Sequence, residues 1–348
     1  MLEIITLQGV KMDMAELIDE IDVNDRIKKI RDHNSLKQSN ISDITGYSVN
    51  TIKKWMMGKD QKHYTKAPVQ ALKLLESWVE NDRNKDVYSK KLTKLADVWS
   101  IITNKGGVGK TTQAFNFSLI LANTHKKKVL AIDLDPQGHL SLSLVKSPQY
   151  MGISTSDLLL GKQGVPFKYS DYLDVIATGK ELRGVLDGIP PQDLLFRLKE
   201  KIESYRLIYD FIICDGIPTD SPWFDAILAA TTKVIMPFTI DLYDSWGMQD
   251  VFDKVDILKM RRVADDLKVA AIVGNSMSKP MSVFDKSIIN SLKQTYPNEF
   301  CPIVISKSVK IKECKSPAIS KSIVEYDPKS NVAKEYLGVI DFILNVQG

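Results

Sequence analysis

The sequence predicts an α/β fold, a parallel sheet with helices on both faces, preceded by a small all-α domain. From residue 98 onward, short continuous apolar runs alternate with helical stretches, as expected of parallel strands buried on both faces. The first run, residues 98–103, leads into Asn104-Lys105-Gly106-Gly107-Val108-Gly109-Lys110-Thr111-Thr112. That stretch has the glycine, lysine and hydroxyl order of a phosphate loop between a strand and a helix. Before residue 98 the apolar residues fall at helical spacing, and no alternating pattern intervenes. The expected domains are therefore 1–97, helical, and 98–348, α/β.

A chain of 348 residues exceeds the usual single-domain size, which fits that division. With 44% hydrophobic and 26% charged residues it has the composition of a globular protein with an ample core. A net charge of +4 is too small for a polycation, so any nucleic-acid surface must come from local lysine clusters. Cys214, Cys301 and Cys314 form no CxxC pair and are too few for a disulfide framework, which points to a reducing cytosol. The N-terminus lacks the basic region and apolar core of a signal peptide. No run approaches the ~18 apolar residues of a membrane span. A cytoplasmic protein is expected.

In the helical part, Met14, Leu17, Ile18 and Ile21 mark one amphipathic helix, and Ala71, Leu74, Leu75 and Trp78 mark another. Residues 80–86 read as a linker. Between the helices, residues 39–57 have the arrangement of a helix-turn-helix. Gly46 supplies a left-handed turn residue, and small Ser42 four positions earlier allows a close helix crossing. Ser48 is placed to cap the second helix, with Ile52 and Trp55 facing inward. The outward set is Val49, Asn50, Lys53 and Lys54, where Asn50 and Lys54 suit base edges and Lys53 a phosphate. Lys59, Lys62, His63 and Lys66 continue the positive charge. A plain helical hairpin with solvated lysines fits the same pattern.

In the α/β part, strands are expected at 129–132, 173–176, 211–214, 233–236, 269–273 and 303–305, and helices at 191–205 and 248–267. Ligands of such sheets bind at the carboxyl ends of the strands. Backbone N–H groups from Gly106 to Thr112 would curl around phosphate oxygens, backed by the positive end of the following helix. Lys110 would contact the β- and γ-phosphates, and the Thr111 hydroxyl would bind Mg²⁺. The second strand ends in Asp133-Leu134-Asp135, two carboxylates pointing to opposite faces, one for water or metal and one for structure. Asp215, after four apolar residues, has the setting of a Walker B aspartate that holds Mg²⁺. Nucleotide hydrolysis is the leading function on these grounds.

The ordered set KGGVGKTT, DLDPQG and YDFIICD resembles the ParA family of DNA-partition ATPases, within the deviant Walker A ATPases, over about residues 98–348. Residues 308–316 and 326–330 resemble the family's late SVxxxEAPS and YDPxS segments. The resemblance implies ATP or ADP as nucleotide, with Mg²⁺ held by Thr111, Asp215 and Asp133. It makes Lys105 the signature lysine that reaches the partner's phosphates in an ATP-sandwiched homodimer, and Asp135 the carboxylate that positions the attacking water. Asn275 becomes the candidate for adenine. Lys307 and Lys310, in a cluster with Lys312, Lys315 and Lys321, become candidates for nonspecific DNA. It also implies a ParB-type centromere-binding partner that stimulates hydrolysis, and a nucleoid-associated location. The helix-turn-helix in front resembles that of longer plasmid ParA proteins, which bind operator DNA for autoregulation. Departures are Asn104 at the first pattern glycine, Gly216-Ile217-Pro218 where the family often has two prolines, and lysines at late positions that are often arginines.

Two other readings compete. A MinD-like positioning ATPase would want a basic amphipathic C-terminal helix, but no lysine or arginine follows Lys334, and the apolar face there is expected to pack on the sheet. A nucleotide-sensing transcriptional regulator would bind ATP without turnover. An electron-transfer role like the nitrogenase iron protein lacks suitably placed cysteines, since Cys214 falls within a strand. A tyrosine-kinase relative would carry a C-terminal tyrosine cluster, which is absent.

Overall fold

A computed structural model of the chain describes residues 23–33, 36–45, 47–68, 71–72, 74–75, 95–145, 152–162, 164–218, 220–240 and 244–345. The chain divides into two compact units, Met1–Lys94 and Leu95–Gly348. The expected helix around residues 14–21, the turn residue Gly46, Trp78 and the linker at 80–86 lie outside the described residues.

In the first unit, α1 (Val23–His33), α2 (Gln38–Thr45) and α3 (Val49–Trp55) surround a small core of Ile27, Ile41, Ile52 and Trp55. Tyr47 meets Trp55 edge-on, with ring centroids 5.0 Å apart. Buried Asn24 ties the segment after α3 back to α1. Its amide donates to the Trp55 and Thr65 carbonyls at 3.0 and 2.9 Å, and its oxygen accepts the Ala67 N–H at 2.7 Å. Ser48 caps α3 by accepting the Thr51 N–H at 3.2 Å. Ser42 donates its hydroxyl to the Tyr47 carbonyl at 2.7 Å, a hydrogen bond from α2 to the residue just before the α3 cap.

The second unit is built on a seven-stranded sheet in the order β3-β4-β2-β5-β1-β6-β7. The strands are β1 (Asp97–Ile101), β2 (Val129–Asp133), β3 (Phe167–Lys168), β4 (Leu173–Ile176), β5 (Phe211–Asp215), β6 (Lys233–Phe238) and β7 (Lys268–Gly274). All neighbours run parallel except β3 against β4. Two residues are too short a run to show a period in the sequence, so this edge strand was not foreseen. One face is covered by α6 (Thr155–Leu159), α7 (Glu181–Asp187), α8 (Pro191–Arg206), α9 (Pro222–Ala229), α10 (Asp244–Met260) and α11 (Val283–Thr295). The other carries α4 (Lys110–Leu119), α5 (His139–Leu144), α12 (Val309–Cys314), α13 (Ile323–Tyr326) and α14 (Asn331–Asn345). Within β1, Val98 packs on the first face while Trp99 and Ile101 pack on the second, as the pleat requires.

Val339, Ile340 and Ile343 of α14 are fully buried against the sheet, each worth about 1.5–3 kcal/mol of apolar burial. The apolar face of the C-terminal helix is thus used internally, as its sequence implied. Among the described residues no helix is long and apolar enough to cross a membrane. All three cysteines are buried and unpaired, and burial pushes the Cys214 thiol up to about 12, an inert apolar side chain.

The strand expected at 303–305 does not form. Residues 300–306 run beside β7 and the segment after it, touching through isolated bridges, Ile272 of β7 with Phe300 and Met277 beyond β7 with Ser306. Cys301 and Ile305 donate to the Ile272 and Gly274 carbonyls, so the Gly274 carbonyl that Ile303 would take in a regular ladder is taken two residues later by Ile305. The helix expected at 248–267 instead spans Asp244–Met260. Beyond it the chain turns through Arg262, which has a φ of 55°.

Candidate functional site

The strand order places the carboxyl ends of β2, β5 and β1 side by side, with Asp133 and Ile101 both in register with Asp215. The loop after β1 therefore rises next to both acidic strand ends. Gly107 and Gly109 take φ values of 75° and 99°, a region where only glycine is unstrained. At Gly109 a second constraint applies, because an added Cβ would fall 2.0 Å from Asn275 Nδ2. Asn275, just beyond β7, donates that amide to the Val108 carbonyl at 2.7 Å and its own N–H to the Phe238 carbonyl at 2.7 Å. Only 7% exposed, it braces the loop from below. One N–H of its amide thus donates to loop backbone, a role beyond the adenine contact expected from the sequence.

Helix α4 begins at Lys110 directly after Gly109, so its first N–H groups point out of the helix beside the loop. Lys110 is buried and donates to the Lys105 carbonyl at 2.6 Å. Burial lowers its ammonium to about 8, against the pull of Asp215 and Asp135 in the other direction. Lys105 and Thr111 are half-buried, and Gly106 and Gly107 are exposed.

The two strand-end aspartates differ sharply. Asp133 accepts the Ser141 N–H and hydroxyl on Oδ2, both at 2.7 Å, and the Asp135 N–H on Oδ1 at 3.2 Å. Burial raises its pKa to about 6 in spite of those donors. Asp215 is equally buried, yet neither of its carboxylate oxygens has a hydrogen-bond partner. Burial and then the charge of Asp133 hold its pKa well above the usual range, while the nearby Thr111 hydroxyl and Lys110 act the other way from outside hydrogen-bonding geometry. Asp135 is half-buried and accepts the Gln137 N–H at 2.9 Å.

A buried carboxylate without donors, next to a hydroxyl at a helix N-terminus, fits a Mg²⁺ ion that keeps its water and phosphate ligands and takes one or two from protein. Among the described residues no group of three or more His, Cys, Asp or Glu could hold a metal ion. Thr111 and Asp215 are the fitting ligands. Asp133, grouped with them from the sequence, is occupied on both oxygens and holds α5 to β2.

The structure also moves one lysine into the site. Lys315, at the end of α12, donates to Thr112 Oγ1 at 3.3 Å, although the sequence grouped it with surface lysines. Lys307, Lys310, Lys312 and Lys321 are exposed. Lys310 forms an ion pair with Asp327, which offsets its charge. In the first unit, Asn50, Lys53 and Lys54 are all exposed on α3. Ser141, missed from the sequence, is bound to Asp133 eight positions away by the turn after β2, a spacing with no periodic signal.

Comparison with known proteins adds the lineage. The family model AAA_31, described as an AAA domain, matches residues 96–269, half of the chain. The sporulation initiation inhibitor protein Soj of Bacillus subtilis is 27% identical over 248 residues, covering 70% of this chain and 96% of Soj. The chromosome partitioning protein ParA of Myxococcus xanthus is 27% identical over 244 residues, 69% of this chain and 84% of that protein. Among solved structures, apo McdA from Cyanothece superposes with a TM-score of 0.64 at 18% identity, covering 71% of this chain and 99% of McdA. The septum site-determining protein MinD of Pyrococcus horikoshii, complexed with Mg-ADP, gives 0.58 at 21% identity, covering 73% and 98%.

Proposed function

We propose that this chain, which belongs to the AAA domain family AAA_31 and is an ATP hydrolase, is a DNA-partition ATPase of the ParA/Soj type that converts ATP to ADP with Mg²⁺. The observation that carries the nucleotide chemistry is the donor-free carboxylate of Asp215 beside the loop and the N-terminus of α4. The loop N–H groups bind and orient the phosphates, and Lys110 turns to the β- and γ-phosphates. Thr111 and Asp215 would hold Mg²⁺, which would supply charge neutralisation at the phosphate oxygens. Asp135, at the mouth of the site, orients the attacking water. Lys105 reaches the phosphates of a second copy, so that hydrolysis needs a homodimer.

The finer functions rest on surface placement. Lys307 and its exposed neighbours suit the phosphates of nonspecific DNA, with Lys310 contributing less because of Asp327. Asn50, Lys53 and Lys54 on α3 suit operator DNA, in a helix-turn-helix formed by α2 and α3. A ParB-type partner stimulates turnover. A MinD-like membrane switch is disfavoured by α14, whose apolar face is buried in the protein. The test is DNA binding to operator and random DNA with ADP, with ATP and without nucleotide. Operator preference with ADP and random-DNA binding with ATP are expected. Binding that ignores nucleotide on both DNAs would refute the partition reading.

A further inference from the structure

We propose that Lys315 is a phosphate-binding residue of the nucleotide site, delivered to it in cis by the segment that follows α12. The inference rests on the nucleotide reading above and extends it to a residue outside the loop. Its first support is position. Lys315 Nζ lies 3.3 Å from the hydroxyl of Thr112, the residue after the Mg²⁺-binding Thr111 and the third residue of α4. Thr112 stands in the first turn of α4, where the unpaired N–H groups face a bound phosphate.

The second support is the manner in which the lysine is held. Cys314, just before it, is fully buried and donates its thiol to the Ile311 carbonyl at 3.4 Å, which fixes the end of α12 against the second core. That anchor turns Lys315 inward while Lys310 and Lys312 of the same helix stay exposed. Among the described residues no carboxylate pairs with Lys315 within ion-pair distance, and its contact is a neutral hydroxyl. A half-buried ammonium in that setting favours an anion as partner. Burial lowers its pKa, and the charge of Asp215 opposes the shift.

The third support is in the pattern. In SVxxxEAPS, which residues 308–316 resemble, position 315 is proline, so the lysine is a feature of this chain and not of the motif.

The experiment is a titration of fluorescent ADP into the full chain, comparing the wild type with Lys315→Gln, Lys315→Arg and Lys293→Gln, the last an exposed control on α11. Lys315→Gln is expected to bind ADP about tenfold more weakly, as loss of one charge-assisted hydrogen bond implies. Lys315→Arg should stay within about threefold and Lys293→Gln should match the wild type, with the Lys315→Gln deficit shrinking as salt is raised. Nucleotide-free melting of Lys315→Gln no lower than the wild type shows that the fold is kept. Equal ADP affinity in Lys315→Gln and wild type, or equal losses in Lys315→Gln and Lys293→Gln, overturns the assignment and leaves the ATPase intact. Failure of the wild type itself to bind ADP would bring down the nucleotide reading instead.

Discussion

Asp133 and Asp215 stand opposite one another on β2 and β5, both fully buried, yet Asp133 accepts three hydrogen bonds while neither Asp215 oxygen lies in hydrogen-bonding geometry with a donor. The pair divides two tasks between two carboxylates. Asp133 spends its oxygens on Ser141 and the Asp135 N–H and so shapes the turn that carries Asp135. Asp215 has neither oxygen so engaged, which leaves a buried acid that, in the proposed site, is open to a cation.

The cost of that buried acid is measurable. Asp215→Asn removes the buried ionisable charge and its repulsion with Asp133 but keeps a polar group there, so the nucleotide-free protein should gain stability at neutral pH, about 1.4 kcal/mol for each pKa unit relieved. For a unit of this size each kcal/mol raises Tm by about 2–4 °C. Mg²⁺-dependent hydrolysis should disappear in the same variant. A lower Tm would show that the Asp215 carboxylate is satisfied in the folded state.

The pH dependence follows from the same pair. Both acids have folded pKa values above the unfolded 3.8, Asp133 at about 6. Between about pH 4 and 6 the folded state therefore holds more protons than the unfolded state, and stability falls as pH rises through that window. The Asp133 shift alone corresponds to about 3 kcal/mol at full ionisation. Urea denaturation of nucleotide-free protein from pH 4 to 7 should show this decline in the wild type and a shallower one in Asp215→Asn. Identical slopes would dissociate the two carboxylates.

Gly109→Ala should act on the loop brace. The substitution meets a φ of 99° and places a Cβ 2.0 Å from Asn275 Nδ2, so Asn275 must leave the Val108 carbonyl. ADP affinity is expected to fall more than about tenfold, given backbone strain of order 1–3 kcal/mol plus the lost hydrogen bond. Gly161→Ala is the control, at a φ of 74° with nothing within 4 Å of the added Cβ. It carries similar strain but should bind ADP normally. Equal affinities for both variants would remove Asn275 from the site.

How much of this was legible in the sequence depended on how local each signal was. The phosphate loop and the Asp215 strand end are contiguous patterns, so residues 104–112 and 211–215 identify themselves without tertiary context. The role of Asn275 is not local. Its partner Val108 is 167 positions away and is reached only because β7 ends beside the loop. Lys315 looked like its lysine neighbours because inward and outward positions on a six-residue helix depend on what anchors it, here Cys314. The apolar run at 303–305 read as a strand, but the pairing slips, with Ile305 rather than Ile303 donating to the Gly274 carbonyl, and the run lies beside the sheet without a ladder. The order of Asp133 and Asp135 was legible, whereas the occupation of Asp133 required the turn that returns Ser141 to it.

Mixing two inactive variants tests the shared site most directly. Lys105→Gln and Asp135→Ala are each expected to lose DNA- and partner-stimulated phosphate release. A Lys105 that acts on the second copy's phosphates is intact in the Asp135→Ala subunit, so a mixed dimer contains one complete site. An equimolar mixture should then recover about a quarter of the wild-type rate, since random pairing makes half the dimers mixed and each has one working site of two. A mixture as inactive as its components would mean that Lys105 acts within its own subunit, and the two-subunit mechanism would be wrong.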